Sequence, residues 1–69
     1  MELKEWMKRH LTSEKEKLAA DCKTTVAYLY QVAGGHRSAS GKLAKAIEQY
    51  SNGLIDKSTL RPDLWDKSH

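Results

Sequence analysis

Residues 13–35, SEKEKLAADCKTTVAYLYQVAGG, hold two short apolar stripes separated by a polar break, and the reading of that break decides the fold. Leu18, Ala19 and Cys22 recur at i, i+1 and i+4, which marks one face of a helix. Ser13 followed by Glu16 has the spacing of a capping box, predicting a helix from Glu14 to Cys22 with Ser13 at its N-cap. Lys23 and Thr24 interrupt the pattern. Thr25 is a good N-cap for a further helix to Ala33, where two glycines stop it because glycine accepts the positive φ of a helix end. Two short helices joined by a tight turn result.

Upstream, Leu3, Trp6 and Met7 at i, i+3 and i+4 predict a helix over residues 2–10, with Trp6 inward and Lys4, Glu5, Lys8 and Arg9 outward. Downstream, HRSAS is a loop, Ser40 caps a helix from Gly41 to Tyr50 built on Leu43, Ala44 and Ile47, and SNG ends it. Residues 54–69 read as a mostly irregular tail, in which Asp56 can cap a turn or two of helix and Pro62 prevents its continuation. Leu60, Leu64 and Trp65 are too apolar for a free tail, so they are expected to pack back on the domain or against a second copy of the chain. The expected architecture is one compact all-α domain of four to five helices spanning residues 1–69.

A chain of 69 residues with 39% hydrophobic content builds one small core and leaves little room for an elaborate active site. The lone Cys22 cannot form an internal disulfide, His10, His36 and His69 are scattered, and neither C-x-x-C nor H-x-x-x-H occurs. AGGHRS lacks the spacing of a phosphate-binding loop. No catalytic residue, metal, cofactor or small-molecule substrate is therefore expected. The segment MELKEWMKRH is too charged for a signal peptide and VAYLYQV too short to cross a bilayer, so no membrane partner is expected either, and the default compartment is the cytoplasm.

Charge is distributed unevenly. Between Cys22 and Ile47 the basic residues are Lys23, Arg37, Lys42 and Lys45 and no acidic residue occurs, so with a net charge of +3 overall the rest of the chain sums to −1. A one-sided positive surface suits attraction to phosphates. Taking Leu29 and Val32 as inward on the helix after Thr25 leaves Ala27, Tyr30 and Gln31 outward and Val26 at the border. An inward stripe of Val26, Leu29 and Ala33 still leaves Gln31 outside. Glutamine can pair with adenine N6 and N7, Val26 or Ala27 can touch a thymine methyl, and Tyr30 can meet a base or a phosphate. Tyr28 reads as an amphipathic residue at the core edge. Lys23, Thr25, His36, Arg37, Ser38, Ser40 and Lys42 are the candidates for backbone contacts, aided by the N–H groups that open the helix after Ser40.

These residues together resemble the Cro-type, lambda-repressor-like helix-turn-helix regulators. In that family's pattern an apolar, a small and an apolar residue and a turn glycine lead to two inward apolar positions; Leu18, Ala19, Cys22, Lys23, Leu29 and Val32 fill those places in register. Lys23 departs from the turn glycine, at a cost of about 1 kcal/mol if its φ is positive. The run YLYQVAGGHRSAS followed by LAKAIE is similar to the family's continuation, and LRPDLW resembles a tail of small prophage regulators of the Cro and YdaS type. The resemblance implies a helix-turn-helix over 14–33 and a sequence-specific transcriptional regulator, most simply a prophage repressor that sets helix 25–33 in the major groove of an operator. Double-stranded DNA is the implied partner, with homodimerisation an open option and the nucleoid the location when bound. The rival class is a protein-interaction module, an antitoxin or adaptor using the helical surface or the Leu64–Trp65 tail. On the DNA reading, Gln31→Ala relaxes discrimination at one base pair by about 1–3 kcal/mol, whereas Arg37→Ala weakens all sequences alike.

Overall fold

Five helices and no strand make up residues 1–65, the part of the chain that the computed structural model describes: α1 (Leu3–Arg9), α2 (Thr12–Asp21), α3 (Val26–Ala33), α4 (Gly41–Tyr50) and α5 (Lys57–Leu60). The last four residues of the predicted 54–69 tail lie outside the described residues. The apolar stripes converge on one cluster: Leu3, Trp6 and Met7 from α1, Leu18 and Ala19 from α2, Leu29 from α3, and Leu43 and Ile47 from α4. Two further members, Ala39 and Ile55, come from loops, where helical periodicity gives no signal. The radius of gyration is 11.0 Å, close to the ~11 Å of a compact domain of this length.

Trp6 fixes α1 in the core. Its ring stacks on His10 at 3.9 Å and meets Tyr50 edge-on at 6.4 Å. His10 Nδ1 lies 2.7 Å from the Trp6 carbonyl, and since a carbonyl only accepts, that nitrogen donates and closes the end of α1.

Helix starts follow the expected caps in three cases. Thr25 Oγ1 accepts from the Tyr28 N–H at 3.1 Å, Ser40 Oγ from the Leu43 N–H at 3.1 Å, and Asp56 Oδ1 from the Ser58 N–H at 2.9 Å. The capping box at Ser13 is the exception and does not form. The extended N-cap of α2 is Leu11, whose carbonyl accepts from Glu14 and Lys15 at 3.0 and 3.1 Å, so Ser13 sits inside the first turn. Only His10 and Leu11 separate α1 from α2. With the His10 ring held by Trp6 and lying 3.5 Å from the Glu14 carboxylate, the chain has already turned helical where Ser13 would need to be extended. The same helix ends at Asp21, with Cys22 as its C-cap.

Three helix ends close in one way. After α2, the Thr24 N–H donates to Ala19 and the Lys23 N–H to Ala20; after α3, His36 donates to Gln31 and Gly35 to Val32; after α4, Gly53 donates to Glu48 and Asn52 to Gln49. Each is a Schellman motif, which needs a left-handed residue at its hinge. Those residues are Lys23 (φ 59°), Gly35 (φ 81°) and Asn52 (φ 54°). Lysine is the least suited of the three, because its Cβ crowds the backbone there and asparagine tolerates the region better. Lys23→Gly should therefore raise stability by about 0.5–1 kcal/mol in urea unfolding, and Asn52→Gly by less.

The tail is anchored rather than loose. Glu48 accepts from the Lys57 backbone N–H at 3.0 Å and from its ammonium at 3.2 Å, joining α5 to α4. Those bonds hold the Glu48 carboxyl below its usual range, so their stabilisation is complete above the ordinary glutamate value and is lost as pH falls through the lowered one. Arg61 donates to the Ala39 carbonyl at 2.9 Å and grips Asp63 with Nε and Nη2 at 2.9 and 2.7 Å. The chain then turns so that Leu64 and Trp65 lie against Gly41, where an added Cβ would stand 3.2 and 3.6 Å from them.

Candidate nucleic-acid interface

α3 is held by one face and presents the other. Leu29 is 0% exposed and pins the helix to the core, while Ala27, Tyr30 and Gln31 are exposed and Val26 and Val32 are half-buried. Tyr28, also half-buried, donates from its hydroxyl to the Ser38 carbonyl at 3.2 Å and so fastens α3 to the loop before α4. Tyr30 is 51% exposed. Its hydroxyl accepts from Lys15 Nζ at 2.9 Å, a contact that ties the outward face of α3 to α2.

Basic side chains flank this face on both sides. A depression between the end of α2 and the start of α4 gathers Lys23, Ser40 and Lys42 over Thr24 and Tyr28, with Asp21 as the acid among them. On the other flank Lys4, Lys8 and Lys15 rim an apolar floor that includes Met7, Ala33 and Tyr30. None of these three lysines belongs to the acid-free segment between Cys22 and Ile47 that marks the positive surface in the sequence. Lys15 was nonetheless detectable, because it stands three and four positions before Leu18 and Ala19 and so shares their inward-facing stripe. Beyond α3, Arg37 Nε donates to Gln31 Oε1 at 2.9 Å. Two residues expected to act separately are thus in direct contact.

Not every predicted contact residue joins the surface in the same way. The side chains of Thr25 and Ser40 serve as N-caps, His36 and Ser38 are exposed in the loop after α3, and the His36 ring lies against Gly34. Lys45 separates from the other three basic residues of its segment: its ammonium lies 5.9 Å from the centre of the Trp65 ring, with Lys57 at 5.5 Å. The positive stretch is therefore divided between two places, one beside α3 and one under the tail.

Such a surface offers many N–H donors and fixed positive charge to an anionic partner. Among the described residues no group of three or more His, Cys, Asp or Glu side chains could hold a metal ion. No family model matches the chain. A prophage transcriptional regulatory protein of Escherichia coli (strain K12) is 47% identical to it over 58 residues, which cover 83% of this chain and 88% of that protein. The chain belongs to the prophage transcriptional regulatory proteins. In this prophage regulator Cys22 packs half-buried at the end of α2, and burial, followed by the nearby Asp21 charge, pushes its thiol up to about 11. It stays protonated at neutral pH and is a poor nucleophile. Of the tail residues, Leu60 is half-buried against the core, Trp65 is half-buried and Leu64 is 51% exposed. No helix of the regulator, among the described residues, is long and apolar enough to cross a membrane.

Proposed function

We propose that the regulator is a sequence-specific DNA-binding protein of the Cro-type repressor kind, in which α2, the turn at residues 22–25 and α3 work as a helix-turn-helix. α3 enters the major groove of an operator, and occupancy of that operator blocks transcription without any catalytic step. The observation that carries this reading is the outward face of α3, free of acidic residues, flanked by lysines from α1, α2, the turn and α4. A helix locked by Leu29 from behind can hold Val26, Ala27, Tyr30 and Gln31 in a fixed register against base edges. Lys23, Lys42 and Arg37 meet phosphates on either side, with Thr25, His36, Ser38 and Ser40 close to the same backbone. One such helix covers a half-site, and two copies related by a two-fold axis would read a palindrome.

The test is a titration against a pool of random duplex DNA at two salt concentrations, followed by sequencing of what is retained. A selected, salt-sensitive motif is the expected result, palindromic for a dimer and asymmetric for a monomer. Retention that is absent at both salts would defeat the reading in favour of an antitoxin or adaptor that works by protein contact alone.

A further inference from the structure

The contact between Gln31 and Arg37 limits what the outward face of α3 can recognise. A guanidinium has N–H donors and no acceptor, so the amide atom 2.9 Å from Arg37 Nε must be oxygen. The orientation of the Gln31 amide is thereby fixed. Its other end, the Nε2 amino group, bonds to no partner among the described residues. The pairing is also prepared by the backbone, since the Gln31 carbonyl accepts from the His36 and Arg37 N–H groups at 2.9 and 3.2 Å around the left-handed Gly35. The end of α3 itself brings Arg37 back beside a residue six positions earlier.

An unconstrained glutamine suits adenine because its oxygen accepts from N6 while its nitrogen donates to N7. Here one of the two lone pairs of the Gln31 oxygen is taken, and a donor approaching the other would meet the positive charge of the guanidinium beside it. What the pair offers outward is N–H groups, from Gln31 Nε2 and from the two Nη atoms of Arg37, which have no partner among the described residues. Guanine presents two acceptors, O6 and N7, on its major-groove edge, whereas adenine presents one acceptor beside a donor and thymine one acceptor beside a methyl. We propose that Gln31 and Arg37 form a single recognition unit that selects guanine, with Arg37 determining specificity in addition to supplying charge. The proposal rests on the reading of α3 as the helix in the major groove.

Site selection from random duplexes, run in parallel for the unaltered protein, Gln31→Ala and Arg37→Ala, tests it, with circular dichroism confirming that each variant is folded. The base pair that Gln31 reads is the one whose preference disappears in Gln31→Ala. At that pair the unaltered protein is expected to select guanine, and Arg37→Ala, by freeing the amide to turn, to move the preference toward adenine by roughly 5- to 150-fold in relative affinity. Replacing the guanine by an analogue with carbon in place of N7 should weaken the unaltered protein by a similar factor and affect Gln31→Ala less. Selection of adenine by the unaltered protein overturns the proposal, as does an Arg37→Ala profile that is weaker everywhere but unchanged in base preference. If the unaltered protein retains no duplex at all, the DNA-binding reading itself falls, a result distinct from selection of the wrong base.

Discussion

Leu29→Ala is expected to leave the protein largely unfolded. Leu29 is fully buried and is the one residue of α3 in the buried core, the helix's other apolar contacts being half-buried. Truncating a buried leucine costs about 2–5 kcal/mol, because the transfer free energy of the lost methyl groups is joined by that of the cavity left behind. A domain of this size has in total roughly 3–10 kcal/mol of stability, at the usual ~0.05–0.15 kcal/mol per residue. The loss is comparable with the whole. Urea unfolding followed by far-ultraviolet circular dichroism checks it, and Gln31→Ala, on the exposed side of the same helix, should stay within about 0.5 kcal/mol of the unaltered protein. A Leu29→Ala protein that unfolds at the same urea concentration as the parent would mean that α3 is not held by that face, and the exposure of Tyr30 and Gln31 would need another explanation.

Replacing Lys23 and Lys42 together by alanine is expected to weaken duplex binding by roughly 30- to 100-fold near 0.1 M salt. Each phosphate contact releases condensed counterions, so the slope of log affinity against log salt falls by about 0.9 per contact removed, and by about 1.8 for the pair. The two residues line one depression beside α3 and both are exposed, so the fold should tolerate their loss. Alanine at position 23 keeps the left-handed strain, so any stability gained in Lys23→Gly would not confuse the comparison. Lys45→Ala is the control, because it removes one positive charge, half of what the double variant removes, from the surface under Trp65. A loss from Lys45→Ala half as large in log affinity would show that DNA responds to the net charge of the protein and not to the side of α3 on which the charge stands.

The helices were legible because four of them carry apolar residues at helical spacing and three starts carry a capping side chain that forms its bond. The misplaced start of α2 shows the limit of that logic. A capping box is a local preference, and here a two-residue joint between α1 and α2 fixes the entry of the chain first. Ile55 and Ala39 illustrate a second limit, since their burial depends on loops returning to the core and no period in the sequence marks it. For the candidate interface, the outward set on α3 followed from geometry alone. The Arg37–Gln31 contact did not, because it depends on how the chain leaves α3 at Gly35. Nor did the division of the lysines, because it depends on where the tail comes to rest.

The two tryptophans occupy unlike surroundings, and this gives the protein two optical reporters. Trp6 is 5% exposed and stacked on His10, so its emission is set by the dry interior and changes when the core opens. Trp65 is half-buried at the surface, with two ammonium groups near its ring, and belongs to the segment fastened by Arg61. Light from the first therefore follows the folding of the whole domain. Light from the second follows the docking of the tail, and Trp65→Phe separates the two signals without touching the face of α3.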